Sequence, residues 1–224
     1  MTDLDFCDEI QYAVPGNDKN FNNTELAKAY DDHAKQIYAN FEKVMMQIPC
    51  EADSTSRYSL IRDCDDCKEA YKRWLCTVSI PRCEDFTSTN SFALLRNANQ
   101  SYPNGTKLSD QEMVKLFDMP YHQTSRNSFI DKTIQPGPYK EVLPCEDLCY
   151  DVVQSCPAVI GFNCPIPGMQ GFNTSYGRRD NDGSTVSCNY PGEARTPMNA
   201  GVIRGPSVFL LSTCMLVFVA FWGL

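Results

Sequence analysis

Twelve of the 224 residues are cysteine, and eleven of them precede an apolar C-terminal stretch: Cys7, Cys50, Cys64, Cys67, Cys76, Cys83, Cys145, Cys149, Cys156, Cys164 and Cys188. Thiols at this density would be a liability in a reducing compartment, whereas in an oxidising one they become cross-links. The chain is therefore expected to fold as a disulfide-stapled extracellular domain. Cys214, the twelfth, lies inside the apolar stretch and outside the framework. The framework is odd in number, so one cysteine lacks a partner within it. Spacing alone leaves the connectivity open.

Four Asn-x-Ser/Thr acceptor sites agree with secretion, at Asn22, Asn99, Asn104 and Asn173. The opening Met1-Thr-Asp-Leu-Asp-Phe-Cys7 has no apolar core and cannot act as a signal peptide, so an upstream portion is expected. Near the other end, the small residues Asn199, Ala200 and Gly201 precede a spacer and an apolar run over 207–224. That order matches a GPI-attachment signal. At about 1.5 Å per residue the run could also just cross a hydrocarbon core of roughly 30 Å, so a retained transmembrane helix stays open. Arg204, on the ectodomain side, runs against the positive-inside pattern for such a helix.

The chain is 42% hydrophobic and carries a net charge of −8. A core is affordable on this composition, and nucleic-acid binding is excluded for want of clustered Lys and Arg. Apolar residues at steps of three and four predict an amphipathic helix from Glu25 to Met46, with Asn22 and Glu25 as its start signal. A second helix is expected from about Tyr58 to Thr77, stopped by Pro81. A third should begin after Pro144 and carry Cys145, Cys149 and Cys156 along one face. The interval between Cys83 and Cys145 predicts a long loop with one short helix, started by a Ser109–Glu112 capping box.

Signals for catalysis are missing. His33, beside Asp31 and Asp32, is expected to be a solvated surface residue, and His122 has no nucleophile context. Cys64-Asp-Asp-Cys67 and Cys145-Glu-Asp-Leu-Cys149 resemble zinc half-sites in isolation, but disulfides suit the compartment better. Asp63, Asp65 and Asp66 are expected on a solvated helix face, without an EF-hand loop for calcium. The chain is expected to be no enzyme and to hold no cofactor.

The spacing Cys67-x8-Cys76-x6-Cys83, and Pro144-Cys145-x3-Cys149-x6-Cys156, resembles the cysteine-rich domain of Frizzled receptors. Within that group, Leu143-Pro-Cys-Glu-Asp-Leu-Cys-Tyr-Asp-Val-Val-Gln-Ser-Cys-Pro157, Gly161-Phe-Asn-Cys-Pro165 and Phe6-Cys-Asp-Glu-Ile-Gln-Tyr-Ala-Val-Pro15 are similar to the C-terminal region of the fungal stretch-activated calcium-channel component. The resemblance implies a mainly α, disulfide-rich, Frizzled-like domain over 1–195 with a loop insertion at 84–143, a spacer over 196–206 and a hydrophobic tail over 207–224. Frizzled pairing carried over implies Cys7–Cys76, Cys67–Cys156, Cys145–Cys188 and Cys149–Cys164, leaves Cys50–Cys64 as an additional pair, and places the partner of Cys83 upstream. The insertion is longer than in Frizzled domains.

The function so implied is that of an auxiliary subunit at the outer face of the plasma membrane, partnered with a pore-forming calcium-channel α subunit and held by its C-terminal anchor. One membrane segment at most cannot by itself build a pore, which needs several helices or a water-lined path. The alternatives are a cell-surface module that captures a ligand in a Frizzled-like cleft, and a wall-associated glycoprotein.

Overall fold

The computed structural model describes residues 1–48, 50, 62–88, 93–116, 119–179 and 186–192. The expected start of the second helix at Tyr58, the Asn199–Gly201 triplet and the apolar tail lie outside the described residues.

Among the described residues, three longer helices, several short ones and a small sheet make up the body. Helix α1 spans Asn23–Met45 and begins at the Asn22 cap, whose side chain accepts from the Glu25 N–H while the Glu25 carboxylate accepts from the Asn22 N–H. It buries Tyr30, Asp31, Ala34, Phe41 and Met45. Helix α2 spans Cys64–Ser79 and is started by a second capping box, between Asp63 and Asp66. The acidic cluster expected on a solvated face is thus partly the start signal of α2. Its carboxylates satisfy N–H groups that have no intrahelical partner and sit well against the positive end of the helix dipole. Ile80 leaves helical geometry just before Pro81, as the ring of a following proline demands.

Strand β1 (Arg82–Glu84) follows directly, then β2 (Ala93–Arg96), the short helices α3 (Asp110–Leu116) and α4 (Pro120–Gln123), a π-turn over Ile130–Ile134, and β3 (Tyr139–Val142). The strands form an antiparallel sheet in the order β1-β3-β2. Arg82 and Ala93 both stand opposite Val142. Helix α5 covers Glu146–Ser155 with Cys145 at its N-cap, and the short α6 covers Gln170–Asn173.

The 84–143 interval is therefore no appended loop. Its Ile130, Ile134 and Tyr139 enter one apolar cluster with Leu4, Cys7, Ile10, Tyr30, Ala34, Cys76 and Ile80. Polar sequence concealed this, because several of the residues the interval buries, among them Arg96, Asn97, His122, Ser125 and Glu141, are themselves polar. A close approach also shapes it: Gly137 has φ +77°, and a Cβ there would lie 2.8 Å from the Ser101 carbonyl oxygen. A second cluster joins Phe41, Met45, Cys50 and Cys67, and a third joins Cys149, Phe172 and Tyr176.

One expectation about α1, the solvated His33, needs correction, and its neighbour Asp31 has a role that the sequence did not indicate. Asp31 is buried, and its carboxylate accepts the backbone N–H groups of Phe6 and Cys7, each at 2.8 Å. His33 is half-buried; its ring stacks on Phe129 with centroids 3.9 Å apart, and its Nε2 lies 3.2 Å from the Asn127 amide nitrogen.

Burial lowers the His33 pKa from its ordinary 6.5. A histidine kept neutral by folding contributes stability above its unfolded pKa, and loses that contribution as pH falls through the lower folded value. Thermal unfolding should therefore show the protein losing more stability than a His33→Gln variant between about pH 7.5 and pH 5. Parallel curves would mean that the stack carries no linkage.

Candidate functional site

Five disulfides tie the body together: Cys7–Cys76, Cys50–Cys64, Cys67–Cys156, Cys145–Cys188 and Cys149–Cys164. Cys7–Cys76 pins the N-terminal segment to the last turns of α2, and Cys67–Cys156 fastens α2 to the end of α5. Cys145–Cys188 fixes the start of α5, where Gly177 permits the approach: a Cβ on it would meet the Cys188 Cβ at 2.8 Å. Cys64, Cys67, Cys145 and Cys149 are all consumed in these bonds. Cys83 remains a free, half-buried thiol on β1 opposite Glu141. Burial, and secondarily the Glu141 carboxylate, push its pKa well up. It is accordingly protonated and a poor nucleophile.

A charged face surrounds the Cys7–Cys76 bond. Lys72 donates to Asp8 at 2.8 Å, while Arg73 grips both oxygens of Glu9 at 2.8 and 3.0 Å and also reaches Glu69 at 3.0 Å. The hydrogen bond from Lys72 holds the Asp8 carboxyl below its usual range. With the disulfide and Pro191 these groups line a cleft of about 200 Å³. Their mutual pairing leaves no concentrated field there for a charged ligand.

The sequence reading missed a buried ionic hub. Glu141, on the central strand β3, is 1% exposed and bridges two guanidinium groups. Arg96 Nε lies 2.7 Å from one carboxylate oxygen and Arg126 Nη2 lies 2.6 Å from the other. Arg96 also donates to the carbonyls of Tyr121 and Thr174, at 2.7 and 2.6 Å, and Arg126 donates to that of Ser175 at 3.1 Å. Four segments of chain thereby converge on one carboxylate. In sequence all three residues look like ordinary surface charges, and no local motif marks them.

Beside this hub lies a cavity of about 480 Å³ with an apolar floor that includes Leu94, Leu143 and Phe172; Asn173 and Arg178 also line it. The four sequon asparagines, Asn22, Asn99, Asn104 and Asn173, are all exposed. Asn22 and Asn104 use only their carbonyl oxygens internally, as helix cap and in a turn with Thr106. Among the described residues no group of three or more His, Cys, Asp or Glu is placed to hold a metal ion. None of their helices is long and apolar enough to cross a membrane.

The profile of the Mid1 family, described as a stretch-activated Ca²⁺-permeable channel component, matches residues 1–194. The chain belongs to this family. It is 42% identical over 190 residues to the stretch-activated cation channel yam8 of Schizosaccharomyces pombe, covering 85% of this chain and 34% of that protein. It is 36% identical over 196 residues to the stretch-activated cation channel MID1 of Saccharomyces cerevisiae, covering 85% of this chain and 31% of the relative. To its namesake in Cryptococcus neoformans it is 29% identical over 136 residues, 60% of this chain and 21% of the relative. The chain thus spans about a third or less of the curated relatives it matches. No solved structure is significantly similar to it.

Proposed function

We propose that this Mid1-family chain is the cysteine-rich ectodomain part of an auxiliary subunit that supports stretch-activated calcium influx through a separate pore-forming subunit. The observation that carries the reading is that the family match, residues 1–194, falls on a body closed by five disulfides. Such bonds suit the outer side of a membrane. The described residues of the same body form an apolar core and paired charges. Ile130, Ile134 and Tyr139 anchor the described part of the 84–143 interval to that core, which suits it to present a surface to a larger partner, and the Frizzled-like cysteine plan fits the same role. Deletion in a native host should lower calcium uptake on membrane stretch. Expression of the full-length protein should restore uptake only when the pore subunit is present; restoration without any pore subunit would refute the auxiliary role.

The same reading assigns the 196–206 spacer and the 207–224 run to membrane attachment, with a GPI lipid joined near Asn199, Ala200 or Gly201. The motive is the succession of small residues, spacer and apolar run. A lipid anchor would confine contact with the pore to ectodomain surfaces, whereas a retained helix would allow packing within the bilayer. Phosphatidylinositol-specific phospholipase should release the protein from intact membranes. Recovery of a peptide containing Phe221-Trp-Gly-Leu224 from the mature surface protein would exclude the lipid.

A further inference from the structure

We infer that the glycan carried by Asn173 folds back into the cavity beside the ionic hub and becomes part of the packed structure, unlike the glycans at Asn22, Asn99 and Asn104. The inference rests on the secretory reading given above. In the modification itself, the Asn173 amide nitrogen gives up one hydrogen and bonds to the anomeric carbon of a lipid-pyrophosphate-linked oligosaccharide, and the lipid pyrophosphate leaves.

Three observations converge on this residue. Asn173 is exposed and is one of the residues that line the cavity of about 480 Å³, a volume within the ordinary range for small-ligand pockets of roughly 300–1,000 Å³. The lining has the two chemistries that a pyranose ring presents. Leu94, Leu143 and Phe172 offer apolar lining for its C–H face, and the Arg178 guanidinium, 5.6 Å over the Phe172 ring and paired through Nε with Glu146 at 3.2 Å, keeps further N–H donors for its hydroxyls. Lastly, the backbone just after Asn173 is tied down: the carbonyls of Thr174 and Ser175, the next two residues of the sequon, accept hydrogen bonds from Arg96 and Arg126. A tethered sugar needs no further loss of translational freedom to bind, so weak contacts suffice to keep it seated. The other three sequons do not contribute to this cavity's lining.

The test uses the full-length glycoprotein secreted by a eukaryotic host. Native digestion with a peptide-N-glycosidase, followed by site-resolved mass spectrometry, should release the Asn173 glycan about tenfold more slowly than those at Asn22, Asn99 and Asn104, the factor expected when a seated state is favoured ten to one. The difference should vanish after reduction and denaturation. Ser175→Ala, which removes the sequon but keeps Asn173, should lower the melting temperature, while Ser175→Thr should keep both glycan and stability; Asn99→Gln serves as the open-surface control. Equal release at all four sites, or an empty Asn173 beside occupied neighbours, would overturn the inference. Four empty sites would instead overturn the secretory reading on which it rests.

Discussion

Replacing Glu141 with alanine should lower the unfolding free energy by about 3–5 kcal/mol, because it leaves two guanidinium groups in the interior without their counter-charge. Arg96 is the more exposed to this loss, with a side chain only 4% accessible, against 19% for Arg126. Two donors of Arg96 would still hold carbonyls, but its charge would stay buried without a carboxylate. The surface pair between Arg73 and Glu9 is the proper comparison. Its geometry is bidentate, yet the carboxylate is 41% exposed, and exposed pairs contribute about 0.2–1 kcal/mol. Urea titration of Glu141→Ala and Glu9→Ala, with disulfides intact, measures both. Similar small losses would show that the hub is as solvated as the surface pair. Replacing all three hub residues together by apolar side chains of similar volume should recover much of the loss, since the cost lies in stranding a charge rather than in lacking one.

Cys76→Ser should be nearly as damaging. The Cys7–Cys76 bond joins residues 69 apart, and opening a loop of that size gives back roughly 4 kcal/mol of denatured-state entropy in the chain-entropy model. The variant also strands Cys7 as a second thiol inside the apolar cluster. Cys164→Ser opens the Cys149–Cys164 link, whose partners lie 15 residues apart, and should cost about 3 kcal/mol. The readout is the fraction of each variant that reaches the cell surface, together with the unfolding midpoint of what is secreted. Cys76→Ser should be retained in the secretory pathway; normal surface levels would argue that the bond is dispensable. Non-reducing peptide mapping gives the companion check, with Cys67 found linked to Cys156. A Cys64–Cys67 link would contradict the framework.

Much of the helical part of the body is legible without coordinates, for a local reason. Asn22 with Glu25, and Ser109 with Glu112, are start signals that act within one turn. Pro81 ends α2 through its own ring and missing N–H. The spacing of Tyr30, Ala34, Phe41 and Met45 reveals the buried face of α1, because helical periodicity is a property of the chain itself. Cysteine density likewise points to the reliance on cross-links before any fold is known. The family resemblance is carried by short contiguous runs around Cys7 and Cys145–Cys164.

Tertiary structure decided everything that depends on residues meeting from far apart. Asp31 finds its partners in the Phe6 and Cys7 N–H groups, about 25 residues back along the chain. His33 appears solvated until Phe129, 96 positions further on, covers its ring. The polar 84–143 interval hides Ile130, Ile134 and Tyr139 as core residues, and it supplies the strand that brings Glu141 between two arginines. Nor could spacing pair the cysteines, because a disulfide requires two Cα atoms brought within a few ångströms by the whole fold. The chain by itself determined which segments become helices and that they must be stapled. Which side chains lose their water, and so which charges and thiols matter, was settled only when those segments packed together, since burial is a property of the assembled body and not of any one residue.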